Sequence, residues 1–340
     1  MPFRHQINIG NKIIGHGAPV YIIAEAGVAH FGDHGKAMAL VDLAADGGAD
    51  AFKTQAFTTN TLISVRLPEW RDRLRPKEVG FDFIARMKER CDQRGITFLC
   101  TAHDPSVLPW LDELDVPAYK IGSGERGNTP FLRELARRGK PMILSTGMYE
   151  EPHLREALDA IASVGLKELA LLHCVTSYPT PLDQVNLLAM DRMRELFAGP
   201  VGYSDHTQGH HVVLAAVARG ATIVEKHITL DFNVPDAQDW KVSCGPDDFA
   251  EFVQKIREVE AALGRPVKEV QPCEQAALNW ALKSLVAAFD LPAGTVLKTE
   301  HLLAKRPGDG ISPSQQEKLL GKGLARPVAA DTAFRLEDLE

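Results

Sequence analysis

Residues 224–229 read Val-Glu-Lys-His-Ile-Thr, VEKHIT, at the end of the run ATIVEKHIT (221–229). The run has the make-up of a buried β-strand, yet it carries a carboxylate, an ammonium and an imidazole in succession. Each is costly to bury unless paired or hydrogen-bonded. The other runs like it are VYIIAEA (20–26), DAFKTQA (50–56), ITFLCTA (96–102), PAYKIGS (117–123), PMILSTG (141–147), LALLHCV (169–175) and VGYSDHT (201–207). All begin apolar and end polar: at Glu25, Lys53 with Gln55, Thr101, Lys120 with Ser123, Ser145, Thr176, Ser204 with His206, and His227. Amphipathic stretches such as AMALVDLAADGGA, FIARMKERCDQRG and FLRELARRGK lie between them, the last two ending at glycine beside basic residues, a helix-stop signal. Strand–helix alternation predicts a parallel sheet, and eight repeats predict a closed (β/α)8 TIM barrel over an open doubly wound sheet. A barrel enzyme places its site at the carboxyl ends of its strands, so the polar ends describe one polar cup.

Composition narrows the function. The 340 residues carry 38 Lys+Arg against 45 Asp+Glu, a net charge of −7, with no basic run. Non-specific nucleic-acid binding needs clustered cations and is disfavoured. The start, MPFRHQINIGNK, has no apolar signal core, and no uninterrupted apolar span of about 18 residues occurs, so no membrane association is expected. Five cysteines, odd in number and never spaced CxxC, fit a reducing cytoplasm better than a disulfide framework. The expected domains are a catalytic barrel over 1–265, a linker with a short helix over 266–283, and a small β-rich module over 284–340.

Side chains alternate along a strand, so Ser204 and His206 share one face and Glu225 and His227 another. On the last two, adjacent staves, His206 and His227 meet, and two imidazoles suit a borderline divalent ion such as Mn²⁺. A lone buried histidine is more often a satisfied structural one; the pairing favours the metal. Lys53 and Lys120, with hydroxyls from Thr101, Ser123, Ser145 and Ser204, suit a small phosphorylated carboxylate. Against them stands the possibility of lysines snorkelling from a rim, although AYKIGS reads as core. Glu25 is placed to hold water or a substrate hydroxyl, to transfer a proton, or only to pair with a lysine. GSGERG (122–127) matches a dinucleotide-binding pattern, but the next strand ends in Ser145-Thr146-Gly147 and lacks the acidic residue such a site needs. Ser204-Asp205-His206 cannot form a hydrolase triad, because Asp205 points away from the other two and no G-x-S-x-G elbow exists.

In order and spacing, IAEAG, GADAFKTQ, VPAYKIGSGE, ILSTGM, HCVTSYPTP, GYSDHT and IVEKHIT resemble the sialic acid synthase family, and KRPGDGISP with LLGKGLARPV resembles its C-terminal antifreeze-like (SAF) domain. The resemblance implies condensation of phosphoenolpyruvate with the open-chain aldehyde of an N-acylated hexosamine. It implies a divalent metal, Mn²⁺ or else Mg²⁺ or Co²⁺, on His206 and His227, with Glu25 beside it. It implies phosphoenolpyruvate on Lys53, Thr101, Lys120, Ser123, Ser145 and Ser204. It further implies sugar contacts at Gln55, Glu125, Tyr178 and Asp239, and a swapped homodimer in which Arg306 of the SAF domain reaches the sugar. This chain departs from the family pattern at Ala29 before His30, at Ala102-His103, at Thr176, at Trp240, in a shorter 57–82 segment and in ALKS (281–284). Most departures fall on the sugar side, which implies an acceptor other than plain N-acetylmannosamine. The rivals are a related synthase with a phosphorylated acceptor and a non-catalytic sugar-binding relative.

Overall fold

The computed structural model describes residues 3–235 and 237–340, and the chain divides into two compact units, Met1–Gly264 and Arg265–Glu340. The first unit opens with a hairpin, β1 (Gln6–Ile9) and β2 (Lys12–Gly15), turning at Gly10, whose φ of 59° suits glycine. Eight parallel strands follow: β3 (Tyr21–Gly27), β4 (Ala51–Ala56), β5 (Thr97–Ala102), β6 (Tyr119–Ile121), β7 (Met142–Ser145), β8 (Leu169–Cys174), β9 (Val201–Asp205) and β10 (Ile223–His227). They pair in chain order, and β10 closes against β3, making the barrel. Each strand lies within the span expected from sequence except at β3, which runs one residue further, to Gly27.

The helices are α1 (His34–Asp46), α2 (Thr59–Leu62), α3 (Pro68–Leu74), α4 (Phe81–Arg94), α5 (Leu108–Glu113), α6 (Thr129–Arg137), α7 (Glu151–Ala162), α8 (Ala189–Leu196), α9 (His211–Ala218) and α10 (Phe249–Leu263). Local chemistry sets their ends. Asp33 accepts the Lys36 backbone N–H at the start of α1, and Gly95, at φ 66°, stops α4.

Two apolar layers follow from strand periodicity. Outward residues such as Ile22, Phe52, Phe98, Leu144 and Val224 pack with Leu40, Met87, Leu132 and Leu158 of the helices. Inward residues Tyr21, Ile23, Ala51, Leu99, Ala118, Ile143, Ala170, Leu172 and Ile223 cluster with Ile7, Ile9 and Ile14 of the hairpin. The hairpin thus seals the amino-terminal end of the barrel, a role the sequence did not suggest. Gly202 lets β9 and β10 close together: a Cβ there would sit 2.3 Å from the Ile223 carbonyl oxygen.

The second unit contains α11 (Gln275–Ala281) and an antiparallel pair, β11 (Ser284–Ala287) and β12 (Leu302–Lys305). Leu285, Leu291, Leu297, Leu324, Val328 and Phe334 are among the residues of its own core.

Candidate active site

The cup follows from the inward apolar layer by one step of the strand repeat. Two residues beyond Ile23, Ala51, Leu99, Ala118, Ile143, Leu172, Gly202 and Ile223 stand Glu25, Lys53, Thr101, Lys120, Ser145, Cys174, Ser204 and Glu225. Since alternate residues face the same way, all eight point into the barrel above a sealed apolar floor. All eight line one cavity of about 180 Å³, together with Gln55, His103, Ser123, Thr176, Tyr178, His206 and His227.

Its charges are buried and mutually held. Lys53 and Lys120 are only 2% and 3% exposed, so these ammonium groups are not snorkelling to solvent. Lys53 Nζ lies 2.9 Å from Glu25 Oε2 and 3.7 Å from Glu225 Oε2, and donates to Thr101 Oγ1 at 3.2 Å. Lys120 Nζ donates to Ser145 Oγ at 2.8 Å and stands 3.4 Å from Glu225 Oε2. Ser204 Oγ donates to the other Glu225 oxygen at 3.0 Å. Burial alone would push the Glu225 carboxyl up, but Lys120, Lys53, His227 and Ser204 outweigh it and hold it at about 2. Burial likewise opposes the charge on both lysines. Glu225 and Glu25 more than compensate for Lys53, which is raised, whereas Lys120 is lowered. Two cations facing two carboxylates make a neutral set in which Lys120 is the less compensated cation.

The two histidines meet as their adjoining strands require. Their ring centroids are 5.4 Å apart, and Tyr178 packs against both, at 4.0 Å from His206 and 5.8 Å from His227. His206 Nδ1 lies 2.7 Å from the Val175 carbonyl oxygen and donates to it, which leaves Nε2 as the nitrogen available to a ligand. His227 Nδ1 is buried with no hydrogen-bond partner among the described residues. An oriented imidazole with a free nitrogen beside a second, under-satisfied one fits a divalent cation. Neither belongs to a cluster of three or more His, Cys, Asp or Glu donors among the described residues; water and substrate would complete the coordination.

Above the cup lies a second chamber of about 240 Å³, sharing Gln55, His103, Tyr178 and His227 with it and lined further by Val28, Leu74, Trp70, Trp240, Asp239, Arg73 and Lys77. Its neck is built around Gly27. A Cβ there would lie in ordinary contact with three converging polar groups, 3.4 Å from Asp239 Oδ2, 3.4 Å from Gln55 Nε2 and 3.6 Å from Glu25 Oε1, so it is the left-handed φ of 54°, not lack of space, that favours glycine. Gln55 Nε2 donates to Glu25 Oε1 at 2.9 Å, which fixes that carboxylate.

Most barrel residues singled out from sequence therefore line this connected space; Glu125 does not. Glu125 sits on a 3-10 turn, Ser123–Glu125, where it accepts from Asn128 at 2.7 Å and lines neither cavity. Arg306 belongs to the second unit, with its guanidinium 5.4 Å from the centroid of the Trp280 ring. Glu225, on the same strand face as His227, and Cys174, two residues beyond Leu172, also line the cup, although the sequence motifs assign neither a role. At β8 it is Cys174, not Thr176, that ends the strand facing inward. The departures from the family pattern cluster too: His103, Trp240 and Ala29 all line the outer chamber. Buried near Lys53 and Lys120, His103 is held neutral, its pKa lowered to about 4.

Lys226 points to the other side of the sheet. It is 1% exposed and donates to Asp205 Oδ2 at 2.6 Å, Thr207 O at 2.8 Å and Gly209 O at 3.2 Å. The polar character of VEKHIT is thus double: Glu225 and His227 belong to the cup, and Lys226 ties down the loop that begins with His206.

Comparison with known proteins identifies relatives of both units. A NeuB family model matches residues 40–268 and a SAF domain model matches residues 283–340. The chain is 38% identical to the N,N'-diacetyllegionaminic acid synthase of Campylobacter jejuni, over 92% of this chain and 98% of the other. It is 32% identical to the N-acetylneuraminate-9-phosphate synthase of Homo sapiens, over 99% and 97%. In structure it is similar to the N-acetylneuraminic acid synthetase of Leptospira borgpetersenii, with a TM-score of 0.75 and 35% identity, over 80% of this chain and 95% of the other.

Proposed function

The chain belongs to the NeuB family and carries a SAF domain, and from that premise we propose that it is a nonulosonic acid synthase. It joins phosphoenolpyruvate to the aldehyde of an N-acylated hexosamine, N-acetylmannosamine or a modified analogue, giving a nine-carbon 2-keto acid and phosphate. The observation that carries this reading is the pair of buried lysines, Lys53 and Lys120, set among hydroxyls directly below a larger chamber with apolar walls. An enol phosphate fits the lower site and a sugar the upper.

Lys53 and Lys120 bind the anionic ends of phosphoenolpyruvate, with Thr101, Ser123, Ser145 and Ser204 donating, so that C3 faces the neck. Gln55 and Asp239 orient the acceptor, and Glu25 stands where it can exchange a proton with the aldehyde oxygen. A divalent ion on His206 and His227, Mn²⁺ by preference, supplies Lewis-acid polarisation when bound. The C3 π pair forms the new carbon–carbon bond, the aldehyde oxygen takes a proton, water adds at C2, and phosphate leaves with C–O cleavage. The reading includes a homodimer in which Arg306 of one copy serves the other. All five cysteines are free, four of them buried, which suits a reducing cytoplasm. No helix among the described residues is long and apolar enough to cross a membrane.

Trp70, Leu74, Val28 and Trp240 make the outer wall apolar, which favours an acceptor with a second acylamino group over plain N-acetylmannosamine. A second reading has a specific observation behind it: Arg73 and Lys77 also line that chamber, as a phosphorylated sugar would require. The test is phosphate release from phosphoenolpyruvate with Mn²⁺ and a series of acceptors: N-acetylmannosamine, its 6-phosphate and 2,4-diacetamido sugars. Release that depends on acceptor and is abolished in His227→Ala supports the function, and the preferred acceptor decides between the readings. No release with any acceptor would favour a non-catalytic sugar-binding protein.

A further inference from the structure

Outside the cup and the chamber, His210, Cys244 and Asp248 bring one donor atom each to within 4.8 Å of one another. None of the three lines either cavity. We propose that they form a second, auxiliary site for a tetrahedral, thiolate-tolerant divalent cation of the Zn²⁺ class. The proposal stands whether or not the synthase reading holds.

The two separations from His210 Nε2 are close to those of a ligand set around an ion. Zinc binds sulfur at about 2.3 Å and nitrogen or oxygen at about 2.0–2.2 Å, and tetrahedral angles then separate sulfur from nitrogen by about 3.6 Å and nitrogen from oxygen by about 3.4 Å. Here Cys244 Sγ lies 3.8 Å from His210 Nε2, and His210 Nε2 lies 3.5 Å from Asp248 Oδ2. Each donor is held from behind. Asp248 Oδ1 accepts the Gly245 N–H at 2.6 Å, which leaves Oδ2 for the site. The His210 ring stands edge-on to Phe252, with centroids 5.3 Å apart. The Cys244 N–H donates to the His227 carbonyl at 2.8 Å, and the Cys244 carbonyl accepts the Thr229 N–H at 2.9 Å.

Charge and access agree. Burial pushes the Cys244 thiol up to about 12, so a bound ion must displace its proton; the resulting thiolate, with a carboxylate and a neutral imidazole, would balance a dication, and the nearby Lys226 is already neutralised by Asp205. Cys244 and His210 are mostly enclosed while the Asp248 side chain is 44% exposed, which leaves an entry path and a fourth position for water. A thiolate selects zinc-like ions over Mg²⁺ or Ca²⁺. Because Cys244 is laddered to the residues at the end of β10, an ion here would fasten the segment that carries Asp239 and Trp240 to the start of α9.

The test titrates metal-stripped, full-length protein with Co²⁺, which reports thiolate ligation through a near-ultraviolet charge-transfer band. The band is expected to saturate at one ion per chain, to persist in His227→Ala and in Cys174→Ser, and to vanish in Cys244→Ser. Asp248→Asn, at a half-exposed position that tolerates the change, is expected to weaken Co²⁺ roughly tenfold or more, since even residues that only support a ligand cost that much. This variant carries the test if Cys244→Ser does not fold. Zn²⁺ should displace the cobalt and raise the melting temperature of the wild type and of His227→Ala. Absence of the band in the wild type, its survival in Cys244→Ser, its loss in His227→Ala, or unchanged affinity in Asp248→Asn would overturn the proposal.

Discussion

Replacing Lys226 by methionine tests the account of the barrel lip most directly. Lys226 and Asp205 are 1% and 0% exposed and lie 2.6 Å apart on the helix-facing side of the sheet. Every N–H of the ammonium is used, on Asp205, Thr207 O and Gly209 O. Asp205 would keep Tyr203 OH at 3.0 Å, Thr207 N–H at 3.0 Å and Thr207 Oγ1 at 2.8 Å, but it would lose its only counter-charge among the described residues. Breaking a buried pair on one side costs about 3–5 kcal/mol, since the remaining charge stays buried. For a unit of this size that lowers the melting temperature on the order of 10 °C. Removing both charges, in Lys226→Met with Asp205→Asn, should cost about 1–3 kcal/mol less than the two single changes added together. Urea unfolding followed by circular dichroism measures all three variants. A loss below about 1 kcal/mol for Lys226→Met would refute the reasoning, because that is what a solvated surface pair is worth.

Lys120→Met should lower kcat/KM for phosphoenolpyruvate roughly a hundredfold, since a hydrogen bond to a charged group contributes about 1.5–3 kcal/mol; steady-state phosphate release measures it, and an unchanged value would remove Lys120 from the anion site. Gly147→Ala would place a Cβ 2.3 Å from Thr176 Oγ1 and 2.8 Å from Ser123 Oγ; the phosphoenolpyruvate KM should rise roughly tenfold or more, because small misplacements of binding groups are expensive. His30 is buried beside His34, and both effects lower its pKa from the ordinary 6.5 to about 4. The unfolded chain therefore binds this proton first: the stability is fully present above about 6.5 and is lost as pH falls toward 4, by on the order of 3 kcal/mol. Urea unfolding from pH 7 to 4 should show this slope in the wild type and a shallower one in His30→Asn; equal slopes would sink the assignment.

The barrel was legible because each strand changes from apolar to polar at its carboxyl end, and that change is a direct imprint of burial. The cup residues were legible for a related reason. A side-chain period of two is strict, so once Ile23 or Ala51 is assigned to the interior, Glu25 or Lys53 follows. What escaped was non-periodic. The hairpin Gln6–Gly15 offers only short strands, and nothing in INIGNKIIG says that its isoleucines plug a barrel. The approach of His210 to Cys244 and Asp248 joins loops 34 residues apart through the closure of β10, which no local spacing encodes.

The same periodicity explains why the cup needs its buried carboxylates. Two ammonium groups placed alone on an apolar floor would repel one another and lose charge to burial. Glu225, between Lys53 at 3.7 Å and Lys120 at 3.4 Å, offsets part of that penalty, with Glu25 completing the compensation at Lys53. On the proposed reading, an arriving phosphate would have to compete with Glu225 for both lysines, and the carboxylate would then set the affinity for phosphoenolpyruvate as well as the stability of the cup. In Glu225→Gln the first effect should tighten anion binding and the second should destabilise the protein. The two changes should therefore move in opposite directions, which is the mark of a cup tuned for turnover and not simply for retention.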